Sequence, residues 1–209
     1  MARKRSRGNG SRRPEQGELR LIGGDWRRRV LTFPAVDDVR PTPARVRETL
    51  FNWVMPMLPG ARCLDLFAGS GVLGLEALSR EAASVTFVDQ SRPLCRALSD
   101  NLQTLGTDRG EVVQADVRRF LAQATTRAMD LIMLDPPFRQ DWPEQLIPLL
   151  AQNGWAAPGT LVYLEREKEQ SLPALPVGWT PHREKTAGQV RYMLIRVECR
   201  DGGNQARSA

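Results

Sequence analysis

The stretch Leu64-Asp65-Leu66-Phe67-Ala68-Gly69-Ser70-Gly71-Val72-Leu73-Gly74 decides the fold of this chain. Residues 63–67 form a short apolar run with one acid in it, which is typical of a buried parallel strand. The glycines that follow mark a tight turn where a ligand can approach the backbone. Residues 72–78 then carry apolar side chains at helical spacing. The pattern predicts a strand, a glycine turn and a helix whose N-terminus faces whatever binds in the turn.

The glycines of this turn match G-x-G-x-x-G, a spacing most often found at dinucleotide sites. An acid at the end of the preceding strand argues against a pyrophosphate, because a carboxylate there suits an amino group or a cationic ligand. A loop whose glycines serve only the turn is the alternative. The combination resembles motif I of the S-adenosylmethionine-dependent methyltransferases. That resemblance implies S-adenosylmethionine as the cofactor, beside Asp65, Phe67, Gly69 and Gly71.

Length and composition limit the class of protein. The chain has 209 residues and is 41% hydrophobic, enough for one sizeable domain and a small extension. No apolar run approaches the roughly 20 residues that a membrane span needs, and the basic N-terminus lacks the apolar stretch of a signal peptide. Three cysteines without C-x-x-C spacing disfavour structural zinc and a disulfide framework. We therefore expect a cytoplasmic protein with no metal and no membrane partner.

Positive charge is concentrated near the N-terminus. The formal net charge is +6, and residues 3–13 carry six Arg or Lys side chains before the first acid, followed by Arg27, Arg28 and Arg29. Such clustering indicates a phosphate-facing surface, with a solvated tail as the alternative. We expect residues 1 to about 17 to be disordered when free.

Strands and helices alternate along most of the chain. A small hairpin is predicted at 19–22 and 28–31, turning at Gly23-Gly24, and Thr42 is a plausible N-cap with Pro43 in the first helical position. That helix should end at Pro56 or Pro59. Later strands are predicted at 63–67, 84–88, 111–114, 129–134 and 160–164, helices at 72–78, 93–105, 117–124 and 142–150, and a closing pair at 179–185 and 190–197.

This order predicts an α/β, Rossmann-like sheet of seven strands, mostly parallel, with helices on both faces and a terminal antiparallel hairpin. Ligands of such sheets bind outside the carboxyl ends of the strands. Four acids, Asp65, Asp89, Asp116 and Asp135, fall at those ends. Their shared position predicts one site rather than scattered surface charge.

Two of the acids are predicted to hold the nucleoside part of the cofactor. Asp89 lies 18 residues after Gly71 (89 − 71), close to the roughly 20 expected for a ribose-binding carboxylate. Asp116 can accept from the adenine amino group, and an N-cap is its competing role. Glu165, at the end of another predicted strand, is either a further wall of the pocket or a solvated acid.

The segment Asp135-Pro136-Pro137-Phe138 carries the chemistry. Two prolines remove backbone N–H groups, so the Asp135 carboxylate and the Pro136 carbonyl offer adjacent acceptors beside the flat ring of Phe138. An exocyclic amine becomes a nucleophile when its two hydrogens are held and its lone pair is turned outward. The segment resembles motif IV of amino-methyltransferases, which act on adenine N6, cytosine N4, guanine N2 or a glutamine amide. A proline-stiffened loop is the alternative.

Further segments narrow the resemblance to the RsmD-type bacterial methyltransferases of 16S ribosomal RNA, over about residues 19 to 197. That family implies methylation of N2 of one guanine, in the small ribosomal subunit or its assembly intermediate, and it places Arg40, Thr42 and Arg45 over the cofactor and target base. We also expect Arg47 and Pro137 at the substrate, a structural or RNA-contacting role for His182, the only histidine, and a monomer. The segments are Arg40-Pro41-Thr42-Pro43, Arg45-Val46-Arg47-Glu48-Thr49-Leu50-Phe51-Asn52, Leu75-Glu76-Ala77, His182-Arg183-Glu184-Lys185 and Gly188-Gln189.

The resemblance also divides the chain into a basic tail (1–18), a hairpin and helix that contact RNA and cofactor (19–58), the methyltransferase domain (59–199) and a frayed tail (200–209). Two other functions stay open. One is a DNA or protein-glutamine amino-methyltransferase, which should lack the Arg40 to Asn52 segment. The other is a ribosome-assembly factor that binds RNA without turnover.

Overall fold

The computed structural model describes residues 16–35, 41–138 and 140–199. The expectations for residues 1–15, for Arg40 and for residues 200–209 lie outside this part of the chain. Seven strands form one sheet in the order β5-β4-β3-β6-β7-β9-β8, and two further strands pair as a separate N-terminal hairpin. Strands β3 to β7 run parallel, whereas β9 pairs antiparallel with β7 and β8. The predicted fold class is confirmed.

The strands are β1 Gln16–Arg20, β2 Val30–Pro34, β3 Arg62–Leu66, β4 Ser84–Asp89, β5 Gly110–Gln114, β6 Leu131–Leu134, β7 Leu161–Glu167, β8 Trp179–Ala187 and β9 Val190–Val197. The helices are α1 Ala44–Val54, α2 Val72–Ser79, α3 Arg92–Leu105, α4 Val117–Leu121 and α5 Trp142–Gln152, with a 3₁₀ turn at Met55–Met57 after α1.

Each face of the large sheet carries its own core. On one face the hairpin and helices α1, α2 and α3 pack against the sheet, with Phe51 and Phe87 fully buried. On the other face α4 and α5 cover it, with Leu121 and Leu150 fully buried. Because the strands are buried on both faces, they read as nearly continuous apolar runs rather than as alternating ones.

The predicted hairpin exists, but its strands lie further apart in sequence than expected. Leu19 pairs with Leu31, and the pairing runs outward to Gln16 and Pro34. Residues 21–29 form a wider loop, in which the Arg28 N–H donates to the Leu21 carbonyl at 2.8 Å. The loop is longer because its backbone N–H groups at Asp25 and Trp26 bond to Ser79 at the end of α2.

The prediction that Thr42 caps α1 is wrong. Pro43 occupies the N-cap position and no side chain there bonds to the helix. The Thr42 hydroxyl instead donates to Asp135 Oδ2 at 2.9 Å, 93 positions further along the chain. As a cap, the Thr42 oxygen would accept from a helix N–H that water can also satisfy, whereas donation to the Asp135 carboxylate is a stronger, charge-assisted bond, so the long-range partner is favoured.

Two element boundaries also differ from expectation. Helix α4 ends at Leu121 rather than at residue 124, because the Asn153 and Trp155 side chains donate to the Leu121 carbonyl and end the ladder there. Strand β7 runs on to Glu167, so Glu165 lies within the strand and not at its end. No helix among the described residues has the length and apolar character needed to cross a bilayer.

Candidate active site

A cavity of about 800 Å³ opens at the carboxyl ends of the parallel strands. This volume lies within the range of small-molecule sites. All four acids predicted at the strand ends line it, as does Glu165. The parallel strands therefore bring the four acids together at one edge of the sheet, as the sequence predicts.

The glycine turn brings backbone to the floor of this cavity. Gly71 adopts φ +77°, a left-handed conformation that L side chains rarely adopt, and it stands at the N-cap of α2. At Gly74 a Cβ atom would collide with the Phe87 ring, so the glycine permits close packing of α2 on the sheet. Phe67 also has a positive φ, +62°, and its ring meets the edge of Trp142 with centroids 5.0 Å apart. Strain of this kind at a cavity wall is typical of a binding site.

Asp65 is almost completely buried, with 2% exposure, beneath the start of α2. Its Oδ2 accepts from the Gly74 N–H at 2.9 Å. Burial raises the pKa of Asp65 well above its usual range, and the Asp135 and Asp89 carboxylates raise it further, against the opposing effect of the Gly74 bond. A positive group in the cavity would relieve this penalty.

Asp89 ties the glycine turn to the next strand. Its Oδ2 accepts from the Gly69 N–H and its Oδ1 from the Ser91 N–H, both at 2.8 Å. Each oxygen keeps a second lone pair, and Asp89 lines the cavity. The carboxylate is thus oriented in advance for two adjacent donors.

Asp116 caps helix α4. Its Oδ1 accepts from the Arg119 N–H at 3.1 Å, and Arg118 lies 3.4 Å from its Oδ2. Partial burial opposes the charged form, but these donors together lower the pKa of Asp116. Asp116 therefore has the N-cap role that was the alternative to an adenine contact. It also lines the cavity, as do its neighbours Ala115 and Val117.

Asp135 lines the cavity directly after β6. Burial raises its pKa to about 6, and the hydrogen bond from the Thr42 hydroxyl acts in the opposite direction. Pro136 is buried, whereas the Phe138 ring is 43% exposed. All three line the cavity, as does Pro137. The acceptor pair and the flat ring occur together, as the sequence predicts.

Glu165 is a wall of the same cavity, with 3% exposure. The Tyr163 hydroxyl donates to its Oε1 at 2.7 Å. Burial first, and then the Asp135 carboxylate, raise the pKa of Glu165 well above its usual range. Sequence reasoning missed the part played by Tyr163, although its spacing of two from Glu165 on a strand places both side chains on one face.

Three predicted substrate contacts do not reach the cavity. Arg45 is exposed on the first turn of α1, and His182 is exposed on β8, with Arg196 Nη2 3.0 Å from its Nε2. Slight burial, Arg196 and Arg183 lower the pKa of His182. Arg47 is 5% exposed and is held inside the protein. The structure therefore gives no support to Arg47 as a substrate contact.

Arg47 instead joins three segments around a buried acid. Its Nη1 lies 2.7 Å from Glu76 Oε1 and donates at 3.0 Å to the Arg20 carbonyl, while its Nε donates to the Thr42 carbonyl at 3.0 Å. Glu76 is fully buried on α2 and also accepts from the Ile22 N–H at 2.6 Å. Burial is the main cause that lowers the pKa of Arg47 and raises that of Glu76. The network fixes the backbone that presents Thr42 to Asp135.

The cysteines do not line the cavity. Cys63 and Cys95 are buried, and burial raises the pKa of both thiols, whereas Cys199 is exposed after β9. A thiol with a raised pKa is a poor nucleophile because the thiolate is the reactive form.

The chain is similar to known proteins along most of its length. The family model of conserved hypothetical protein 95 matches residues 19–196. Ribosomal RNA small subunit methyltransferase D of Escherichia coli (strain K12) is 49% identical over 182 residues, covering 87% of this chain and 91% of that protein. The protein of the same name from Haemophilus influenzae is 45% identical, covering 87% and 95%. A solved Escherichia coli structure superposes with a TM-score of 0.80 at 47% identity, covering 87% of this chain and 99% of the other.

Proposed function

Because this chain belongs to the family of conserved hypothetical protein 95, we propose that it transfers a methyl group from S-adenosylmethionine to N2 of one guanine in small-subunit ribosomal RNA. The observation that carries the proposal is that two groups of residues line one cavity, one suited to holding an amine and one suited to the cofactor. Asp135, Pro136 and Phe138 form an amine-holding pair with a flat ring, and the acids of the strand ends lie next to them. The ribosomal RNA substrate rests on the names of the relatives with which this chain shares nearly half its residues.

The donor set of the cavity fits a cationic cofactor. Asp65, Asp89 and Asp116 line it, and Asp65, beneath the glycine turn, would repel the pyrophosphate of a dinucleotide. Asp65 would face the methionine amino group, Asp89 the ribose hydroxyls and Asp116 the adenine amino group. When bound, S-adenosylmethionine supplies a methyl group activated by its sulfonium. Its positive charge would offset the cost that burial imposes on the Asp65 carboxylate.

The residues after β6 prepare the nucleophile. Asp135 and the Pro136 carbonyl would each accept one hydrogen of the guanine amine, which turns the nitrogen lone pair outward. The exposed ring of Phe138 would stack on the flipped base, and such stacking is worth roughly 1–3 kcal/mol. Because the amine loses its proton only after the new N–C bond forms, no strong base is needed. No described cysteine lines the cavity, so we expect direct transfer without a covalent enzyme intermediate.

Contacts with RNA outside the cavity would come from basic residues of the N-terminal part and of β8. Arg27, Arg28 and Arg29 are exposed in the hairpin loop, and Arg45 is exposed on α1. Exposed arginines suit phosphate groups because they neutralise phosphate charges and release the counterions condensed on the RNA. We expect the protein to act as a monomer on the small subunit or its assembly intermediate.

The decisive experiment offers the purified protein and labelled S-adenosylmethionine to four substrates. These are small subunits from cells that lack the activity, deproteinised 16S RNA, duplex DNA and a peptide-chain release factor. Label should enter the small subunits, and digestion to nucleosides should yield N2-methylguanosine. Label on DNA or on the release factor alone, or a different methylated nucleoside, would overturn the proposal.

Asp89→Ala should weaken S-adenosylmethionine binding by about 1.5–3 kcal/mol, because a charge-assisted pair with the ribose is lost. Titration calorimetry measures this directly. Asp100→Ala, an exposed acid on α3, is the matched control and should leave the affinity unchanged. Unchanged affinity in Asp89→Ala, or tight NADH binding without S-adenosylmethionine binding, would contradict the assignment.

The rate of methyl transfer should depend on the ionisation of Asp135. Its pKa is about 6, and only the ionised carboxylate accepts strongly from the amine, so kcat/KM should rise with pH through this value and then level off. Thr42→Val removes the hydrogen bond that lowers this pKa, so the rising limb should move to higher pH. Thr49→Val, which changes a hydroxyl bonded to the Arg45 carbonyl on the same helix, should leave the profile in place. If the pH profile does not move in Thr42→Val, Thr42 does not influence the ionisation of Asp135 during methyl transfer.

A further inference from the structure

Two acids lie next to each other where β6 ends: Asp135 directly follows β6, and Glu165 lies within the adjacent parallel strand β7. Leu134 of β6 pairs with Leu164 of β7, and Asp135 and Glu165 are the residues that follow this last pair. Neighbouring strands lie about 4.8 Å apart. The carboxylate that the proposed mechanism uses therefore has a second carboxylate beside it, and the mechanism gives that one no task.

The Glu165 carboxylate has one satisfied oxygen and one available oxygen. The Tyr163 hydroxyl donates to Oε1 at 2.7 Å. Oε2 receives no hydrogen bond from the described residues, and Glu165 lines the cavity. Glu165 is 3% exposed, and burial and Asp135 raise its pKa, so a ligand N–H donor at Oε2 would favour the ionised carboxylate and offset the cost of its burial.

Strand order places Glu165 on the acceptor side of the cavity. The strands that carry Asp65, Asp89 and Asp116 lie on one side of β6, and β7 lies on the other. Pro137 and Phe138 line the cavity together with Glu165. A donor that satisfies Oε2 therefore belongs to the molecule that receives the methyl group, not to the cofactor.

Among acceptors that carry an exocyclic amine, guanine alone matches two adjacent carboxylates. Its N2 amine is followed on the Watson–Crick edge by N1–H, so two donors lie next to each other. Adenine N6 lies next to N1, cytosine N4 next to N3, and a glutamine amide nitrogen next to its carbonyl oxygen, and each of these neighbours is an acceptor. A carboxylate opposite such a lone pair would repel it.

We infer that Glu165, oriented by Tyr163, accepts the N1–H of the target guanine and so selects guanine over other amine-bearing acceptors. The inference rests on the proposed function and deepens it by assigning the residue that determines specificity. Asp135 holds the reacting amine, and Glu165 reads the ring nitrogen beside it. The same pairing explains why the fold places two acids where one would suffice to hold an amine.

The test uses 2-aminopurine, which keeps the 2-amino group but has a lone pair at N1 in place of N1–H. Small subunits are reconstituted with 16S RNA that carries either guanine or 2-aminopurine at the position methylated by the wild-type protein. The ratio of kcat/KM for the two substrates is the readout. The wild type should favour guanine by at least about a hundredfold, since a site built around a donor rejects an analogue that lacks it.

Glu165→Gln should reduce this preference by at least about tenfold. The Tyr163 hydroxyl keeps the amide oxygen at the position of Oε1, so the amide N–H faces the base, where it opposes N1–H and matches the lone pair of 2-aminopurine. Contacts to O6, which 2-aminopurine lacks, cancel when the ratios of wild type and variant are compared. Glu165→Asp, which keeps the charge but withdraws it by one methylene, should also lower kcat/KM for guanine while 2-aminopurine is little affected.

Glu111→Gln, the same change at an exposed position on β5, is the matched control and should keep the wild-type ratio. Calorimetry should show unchanged S-adenosylmethionine affinity in all three variants. A loss of activity on both substrates with an unchanged ratio would make Glu165 merely structural and overturn the inference, as would a wild-type ratio in Glu165→Gln. If the wild type forms no N2-methylguanosine at all, it is the proposed function that fails.

Discussion

Asp135→Ala should lower kcat for methyl transfer by about a hundredfold to a thousandfold. A loss of this size is typical when one preorganised polar group that contacts the reacting atom is removed. In the proposed mechanism the Asp135 carboxylate accepts from the reacting amine, and it lines the cavity directly after β6. S-adenosylmethionine should still bind, because the acids proposed to hold it lie on or just after β3, β4 and β5. Single-turnover transfer to small subunits, with cofactor affinity measured in parallel, separates the two effects.

Two further variants sharpen that result. Asp135→Asn keeps the shape but offers only one acceptor oxygen, so it should retain part of the activity if the oxygen faces the amine. Asp108→Ala, an exposed acid before β5, should behave as the wild type. Near-normal turnover of Asp135→Ala on small subunits would show that the two-acceptor mechanism is wrong and that the proline segment only stiffens a loop.

Arg47→Met should lower the free energy of unfolding by about 3–5 kcal/mol, since it strands the fully buried Glu76 carboxylate with only Arg80, 3.4 Å away, as an ionic partner. The variant also releases the Arg20 and Thr42 carbonyls that Arg47 joins. Urea denaturation measures the change. Because Thr42 bonds to Asp135, some loss of activity should accompany the loss of stability.

The double variant Arg47→Met/Glu76→Leu should recover most of that stability, because replacing a whole buried ion pair by apolar side chains is often neutral. Arg45→Met, at an exposed position on the same helix, should change stability by no more than about 0.5 kcal/mol. If Arg47→Met lowers the free energy of unfolding by less than about 1 kcal/mol, the ion pair between Arg47 and Glu76 contributes little to stability.

Some residues have two possible partners in the sequence, and the fold determines which of them they contact. Thr42 carries the pattern of an N-cap, and its actual acceptor lies 93 positions away. Arg47 lies in a basic segment and reads as an RNA contact, but an acid on another helix draws it inside. Asp116 is predicted at the adenine amino group with a helix cap as its competing role, and the structure shows the cap at a position that also lines the cavity. Local patterns list the partners that a side chain could take, and only the packed chain selects among them.

The sequence by itself determined the order of strands and helices, the glycine turn and the presence of acids at strand ends. These features depend on apolar periodicity and on backbone conformation, which act over a few neighbouring residues. The packed chain alone shows that Arg47 is buried with Glu76, that Thr42 bonds to Asp135 and that Glu165 follows the last β6–β7 pair with an oxygen to which no described residue bonds. Burial, strand register and the competition for hydrogen-bond partners depend on segments far apart in the chain, so they take definite values only after the sheet has formed and its two faces are covered.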